Sequence, residues 1–201
     1  IRILYSPLEA VRLAENHPDR EIVFFAVGFE TTAPANAMSV LQAAKLGLTN
    51  FSILTSHVLV PPAMEAVLDD PETKIDGFLA AGHVCSIMGI DEYYPIVEKF
   101  KVPIVVTGFE PVDLLHGILM TVRQLERGEY KLENQYSRIV KDEGNVNAKK
   151  VINDAFEILD REWRGIGTIP ASGYELRKDF QAFDANKKFN IDLPKVREHE
   201  I

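Results

Sequence analysis

The sequence predicts an α/β protein: parallel strands with helices packed on both faces of the sheet. Two observations lead there. Apolar, β-favouring runs recur at Ile22 to Val27, Phe51 to Thr55, Asp76 to Ala81 and Pro103 to Thr107, each followed by a turn and then by a helix-like pattern. The runs are also apolar almost throughout rather than alternating, which is the mark of strands buried on both faces, as in a parallel sheet. With 201 residues the chain suffices for one large domain or two small lobes.

The elements follow in order. After Ile22 to Val27, Thr31 or Thr32 caps a helix that Pro34 opens, Ala37, Leu41, Ala44 and Leu48 continue as an apolar stripe, and Gly47 ends. Phe51 to Thr55 is the second strand, and a shorter helical pattern follows Pro61-Pro62. Asp76 to Ala81 is the third, with a helix expected over Glu92 to Lys99. After Pro103 to Thr107, Leu115, Ile118, Leu119, Val122 and Leu125 share one helical face, with Pro111 near the start and Gly128 just past the end. Lys131 to Val140 mixes polar and β-favouring residues and suggests an exposed or edge strand. Val151, Ala155, Ile158 and Leu159 mark an amphipathic helix, and "WRGIGTIPASG" a short strand punctuated by glycine and proline. The last thirty residues, polar and ending in "KVREHE", are expected to form a surface tail.

Composition narrows the class. Hydrophobic residues at 46% and charged residues at 26% belong to a folded globular chain. A net charge of −8 without a basic patch disfavours nucleic acid and anionic membranes as partners. No apolar run reaches the roughly 20 residues that span a bilayer, and no signal-peptide pattern opens the chain, so a cytoplasmic location is expected. Cys85 is the single cysteine, which leaves no internal disulfide and no four-cysteine metal site. Residue 1 is Ile, as in a piece of something longer.

In an open parallel sheet, ligands gather beyond the carboxyl ends of the strands, where helix N-termini present unpaired N–H groups. All these ends carry polar chemistry here: Glu30 with Thr31 and Thr32, Ser56 with His57, Gly82 with His83, and Thr107 with Glu110. The pieces "AVGFETTAP" and "VTGFEPVDL" repeat one device, a strand, a glycine turn and a Glu at a helix start. The bland explanation stands beside it, since a Glu at a helix N-terminus stabilises that helix by about 0.3–1 kcal/mol with no ligand. Structural caps, however, favour Ser, Thr, Asp or Asn over Glu and His, and the set as a whole points to a functional cleft. "GFETTAP" lacks the Gly-Lys-Ser/Thr ending of a phosphate loop, and no G-x-G-x-x-G follows a strand. Glu30, His57, His83 and Glu110 are possible ligands for a divalent metal, yet no H-x-x-E-H or H-E-x-x-H spacing pins two of them to one face. Cys85 is either a nucleophile activated at a helix start or a small buried residue.

The blocks "YSPLEA", "VFFAVGFETTAPANA", "NFSILTSHVLVPPAM", "GFLAAGHVCSIMG", "VPIVVTGFEPVDLL", "ENQYSRIVKDEGN", "WRGIGTIPASG" and "FDA" together resemble the HypD family of hydrogenase maturation proteins, in one order over nearly the whole chain. The resemblance implies two similar α/β lobes facing a cleft. Residues 1–58 would be part of a first lobe, 59–169 a second, and 170–201 a surface tail or linker toward a further region. It implies a scaffold, rather than a self-sufficient enzyme, on which the iron centre of nickel–iron hydrogenase, carrying cyanide and carbon monoxide, is assembled. A HypC-like chaperone and a HypE-like cyanide donor are the implied partners. No cofactor is expected in this chain; iron and a four-iron, four-sulfur cluster are implied for the full-length family member. The family's Cys-Gly-x-His and Cys-Pro-x-Cys motifs would fall before Ile1 and its cluster cysteines after Ile201, so a central portion of a longer protein is expected. Carried over as cleft-lining or supporting residues are Glu30, Thr31, Thr32, His57, Gly82, His83 and Glu110, with no catalytic set and no metal ligand assigned. The family's usual Pro-Gly-His-Val stands here as Ala81-Gly82-His83-Val84. The alternative is a stand-alone α/β enzyme using these Glu and His residues for acid/base or metal-assisted chemistry.

Overall fold

A computed structural model describes residues 1–191 of the chain; the charged end with Pro194 lies outside the described residues. In chain order the elements are α1 (Pro7–Asn16), β1 (Ile22–Gly28), α2 (Ala33–Lys45), β2 (Phe51–His57), α3 (Val60–Leu68), β3 (Phe78–Ala81), α4 (Gly82–Met88), α5 (Tyr94–Phe100), β4 (Ile104–Thr107), α6 (Pro111–Arg127), β5 (Leu132–Asn134), α7 (Val146–Ala155), β6 (Phe156–Trp163), β7 (Gly167–Leu176) and α8 (Ala185–Phe189). β1 and β2 pair in parallel, as do β3, β4 and β5 in that spatial order, while β6 and β7 form an antiparallel hairpin. The expected α/β class with parallel strands is the one found. The chain divides into two compact units, Ile1–Leu59 joined by the segment from Lys150, and Val60–Lys149.

In the first unit, Ser6 accepts a hydrogen bond from the Leu8 amide and Pro7 opens α1, a sound helix start. α1 and α2 pack on each other through small residues: Ala10, Val11 and Ala14 from one, Ala33, Ala37, Val40 and Ala43 from the other, all buried. β1 is two-faced: Ala26 is buried, whereas Val23, Phe25 and Val27 are exposed. The other side of β2 is joined by late sequence, through bridges from Ile53 to Asp184 and from Val58 to Gly173.

The stretch read as one amphipathic helix through Ile158 and Leu159 is two elements. α7 stops at Ala155, and Phe156 begins β6 with period-two burial. Pairing with β7 from Phe156↔Leu176 to Trp163↔Gly167 overrides the local helical spacing. The stretch 170–191, expected as a tail, holds most of β7 and α8, with Tyr174, Leu176 and Ala185 buried. Residues 150–169, placed by sequence in the second lobe, group with the first unit because their hairpin packs on β2.

The second unit has a core of Met64, Ala80, Cys85, Ile90, Ile96, Ile104, Val106 and neighbours. β5 lies at the sheet edge, as expected for the start of Lys131 to Val140, and the rest of that segment turns away. α6 runs where sequence places it and ends on Gly128, but its orientation is the reverse of what its stripe suggests. Leu115, Ile118, Leu119, Val122 and Leu125 are 42–67% exposed, while Asp113, Gly117 and Gln124 face inward. Gly117 lets the helix backbone settle onto the sheet, where any side chain would run into Thr107 and press on Leu79. Gln124 is buried but satisfied: it accepts from the Lys131 amide at 2.7 Å and donates to Glu133 at 2.6 Å.

Candidate functional site

The parallel register sets Gly28 beside His57 at the carboxyl ends of β1 and β2. Gly28 has φ +149°, a backbone that L side chains rarely adopt, and a side chain there would collide with Thr32 Oγ1. The turn is thus drawn tight enough for Thr32, the residue before α2, to reach His57. The Thr32 hydroxyl has two acceptors within reach, the Phe29 carbonyl at 3.1 Å and His57 Nε2 at 3.0 Å. Asn36, one helical turn on, donates through Nδ2 to the Thr32 carbonyl and to His57 Nε2, both at 3.0 Å. Both Asn36 amide protons are therefore used, Nε2 is an acceptor, and the imidazole proton sits on Nδ1. That Nδ1 is buried with no hydrogen-bond partner among the described residues.

His57 is fully buried, and burial, with a smaller push from the Arg161 charge, lowers its pKa from 6.5 to about 4. It is a neutral anchor for the turn rather than a base open to solvent. Glu30 is buried at 1% exposure, Thr31 is half-buried and Thr32 is exposed.

In the second unit the pairing of Ala81 with Thr107 sends Gly82-His83 and Gly108-Phe109 out of the sheet side by side. Ala81, where the resemblance leads one to expect proline, holds φ −68°, the value a proline ring would impose. His83 is exposed at the start of α4, its ring 4.7 Å from that of Phe109. Glu110 directly precedes α6 and its carboxylate takes Arg138 Nη2 at 2.9 Å. Arg138 also grips both oxygens of Asp113, at 2.8 and 2.6 Å, and Gln135 donates to Asp113 at 2.9 Å. The Arg138 hydrogen bonds, with help from Glu110 and Gln135, hold the Asp113 carboxyl well below the usual carboxylate range, and Asp113 in turn raises Arg138. The guanidinium lies over the Tyr136 ring at 4.4 Å. Tyr136 closes over both turns, since side chains added at Gly82 or Gly108 would strike it.

Every site residue named from sequence thus lies at a carboxyl edge of parallel strands. Thr32 and His57 are brought into direct contact in one unit; Gly82, His83 and Glu110 share an edge in the other. The sequence reading missed Asn36, Asp113, Tyr136 and Arg138. Asn36 and Asp113 were within reach, four residues after Thr32 and three after Glu110 on their helices, whereas Arg138 meets Glu110 only across 28 residues of chain. Cys85 is fully buried in the core of its unit, as a small apolar side chain would be. Among the described residues there is no grouping of three or more His, Cys, Asp or Glu suited to a metal ion. No helix there is long and apolar enough to cross a membrane.

Comparison with known proteins decides the family. The HypD family, described as hydrogenase formation hypA family, matches residues 1–201. The chain belongs to the HypD family. It is 46% identical over 198 residues to the hydrogenase maturation factor HypD of Azotobacter vinelandii, covering 96% of this chain and 52% of that protein. It is 45% identical over 208 residues to HypD of Escherichia coli, covering 100% and 56%. A putative hydrogenase expression/formation protein of Methanocaldococcus jannaschii is 42% identical over 198 residues, covering 98% and 54%. The chain spans about half the length of the curated relatives it matches. A four-iron cluster of the kind the HypD resemblance implies takes four cysteinates, and the one buried thiol of Cys85 does not fit it.

Proposed function

We propose that this chain supplies two α/β units of a HypD-type scaffold for maturation of nickel–iron hydrogenase, on which an iron centre carrying cyanide and carbon monoxide is assembled. The observation that carries the reading is the family match over residues 1–201 together with the two Gly-Phe-Glu turns, each at a carboxyl edge of parallel strands. The iron is cargo here. The chain's own contribution is shape and polarity: Glu30, Thr31 and Thr32 at one edge, where Thr32 bonds to His57 and Asn36, and Gly82, His83 and Glu110 at the other, where Tyr136 covers Gly82 and Arg138 pairs with Glu110. A HypC-like chaperone and a HypE-like cyanide donor are the partners this role calls for, and it is carried out in the cytoplasm.

A stand-alone acid/base enzyme is the weaker reading. His57 is buried with a pKa of about 4 and offers no base poised near neutrality, and the Glu110 carboxylate is engaged by Arg138. The gene encoding this chain, expressed in a strain deleted for its own HypD-family protein, tests the role. Restored hydrogenase activity supports it; a stable, abundant product that leaves the strain inactive counts against it.

A further inference from the structure

We propose that Arg138 is a positioning residue that sets the orientation of the His83 imidazole, acting through Glu110, Asp113 and the ring of Phe109. Four observations carry it, all within the second unit. Arg138 bonds to three carboxylate oxygens, two on Asp113 inside the first turn of α6 and one on Glu110 just before it. Its guanidinium lies on the Tyr136 ring, and Tyr136 in turn caps Gly82 and Gly108. The three-residue turn Gly108-Phe109-Glu110 is therefore pinned at both ends, by Tyr136 at Gly108 and by Arg138 at Glu110. Between the pins, Phe109 is 60% exposed and its ring lies 4.7 Å from that of His83.

An exposed phenylalanine has no core packing to fix its rotamer. Its direction is set by the backbone that carries it, and Arg138 grips the side chain of the next residue, Glu110. His83 is likewise exposed, so the Phe109 ring is the surface against which its imidazole settles. Arginine suits the task because its planar fork reaches two carboxylates in fixed directions while stacking on an aromatic face, and a lysine ammonium has neither property. A clamp needed only to tie the turn after β5 to α6 would require the Asp113 contact alone. The added reach to Glu110 extends the clamp to the turn that bears Phe109.

The test uses Arg138→Met, Arg138→Lys and Phe109→Leu, resting on the scaffold reading only for its second readout. The first readout is the NMR spectrum of the His83 ring in the 201-residue chain. Loss of the clamp or of the aromatic ring moves the His83 ring protons in Arg138→Met and in Phe109→Leu, and Arg138→Lys restores the shift only in part. The second is hydrogenase maturation by the encoding gene, expected to fall roughly ten- to a hundredfold in Arg138→Met and less in Arg138→Lys, with melting temperatures recorded for each. Unchanged His83 resonances in Arg138→Met overturn the proposal, whatever Phe109→Leu does. So does a maturation loss in Arg138→Met that its loss of stability accounts for in full. Should the wild-type gene fail to support maturation, the scaffold reading falls while the NMR result still decides the role of Arg138.

Discussion

Thr32 Oγ1 and His57 Nε2 meet at 3.0 Å across 25 residues of chain, locking the turn after β1 to the end of β2. The second Gly-Phe-Glu turn is held otherwise, by the ion pairs of Arg138 with Glu110 and Asp113. Two near-identical strings of sequence are thus fixed by a neutral hydrogen-bond network in one unit and by charges in the other. Glu30 is buried where Glu110 is exposed. Their responses to pH and to substitution should differ accordingly.

The buried histidine gives the first unit a pH signature. Between pH 6.5 and about 4 the unfolded chain takes up a proton at His57 that the folded chain refuses. The stabilisation is therefore complete above 6.5 and is lost as pH falls toward 4, at about 1.4 kcal/mol per unit. Glu92 acts in the opposite sense, since burial raises its pKa above 4.5 and the folded chain protonates first. Comparing wild type with His57→Gln isolates the histidine. In urea unfolding the wild-type advantage should shrink by about 2 kcal/mol between pH 7 and pH 4.5; an advantage that stays constant contradicts the assignment of a neutral, buried imidazole.

Gly28 is required by both its backbone and its neighbour, whereas Gly47, at φ +65°, has open space around it. Gly28→Ala should cost roughly 1–3 kcal/mol or more from strain and collision with Thr32, and Gly47→Ala only about 1 kcal/mol. Denaturant midpoints of the two variants give the ranking. A milder effect at Gly28 than at Gly47 would show that the turn is not drawn as tightly as described.

The outward stripe of α6 makes an unusual forecast for a row of leucines. Leu115→Gln with Leu119→Gln should change the stability of the 201-residue chain by no more than about 1 kcal/mol, as exposed sites do. Gly117→Val, on the face against Thr107, should cost roughly 1–3 kcal/mol. If the double leucine variant is instead the more damaging, the helix lies on the sheet with the other face.

Much of the framework could be read from the residues, because the parallel strands and their following helices are fixed by local apolar runs, by Pro111 and by Gly128. The misreadings share one physical cause, tertiary context prevailing over local pattern. Ile158 and Leu159 have helical spacing from Val151 yet pair with β7, a partner more than ten residues on. The α6 stripe promised a buried face, but Gly117 and the satisfied polar side chains of Asp113 and Gln124 turned the helix over. Glu30, His57, His83 and Glu110 lie at or just after strand ends, where the apolar runs stop. What fixes them, Asn36 below His57 and Arg138 above Glu110, depends on three-dimensional neighbours that no spacing rule supplies.

His83→Ala, assayed for hydrogenase maturation and for melting temperature in the same preparation, decides whether the carboxyl edge of the second unit takes part in assembly. His83 is exposed, so its loss should alter stability by no more than about 0.5 kcal/mol. If the carboxyl edge of the second unit serves metal-centre assembly, the variant should remain folded and abundant while maturation collapses. Normal maturation by the stable variant would remove His83 from the working edge and contradict the account.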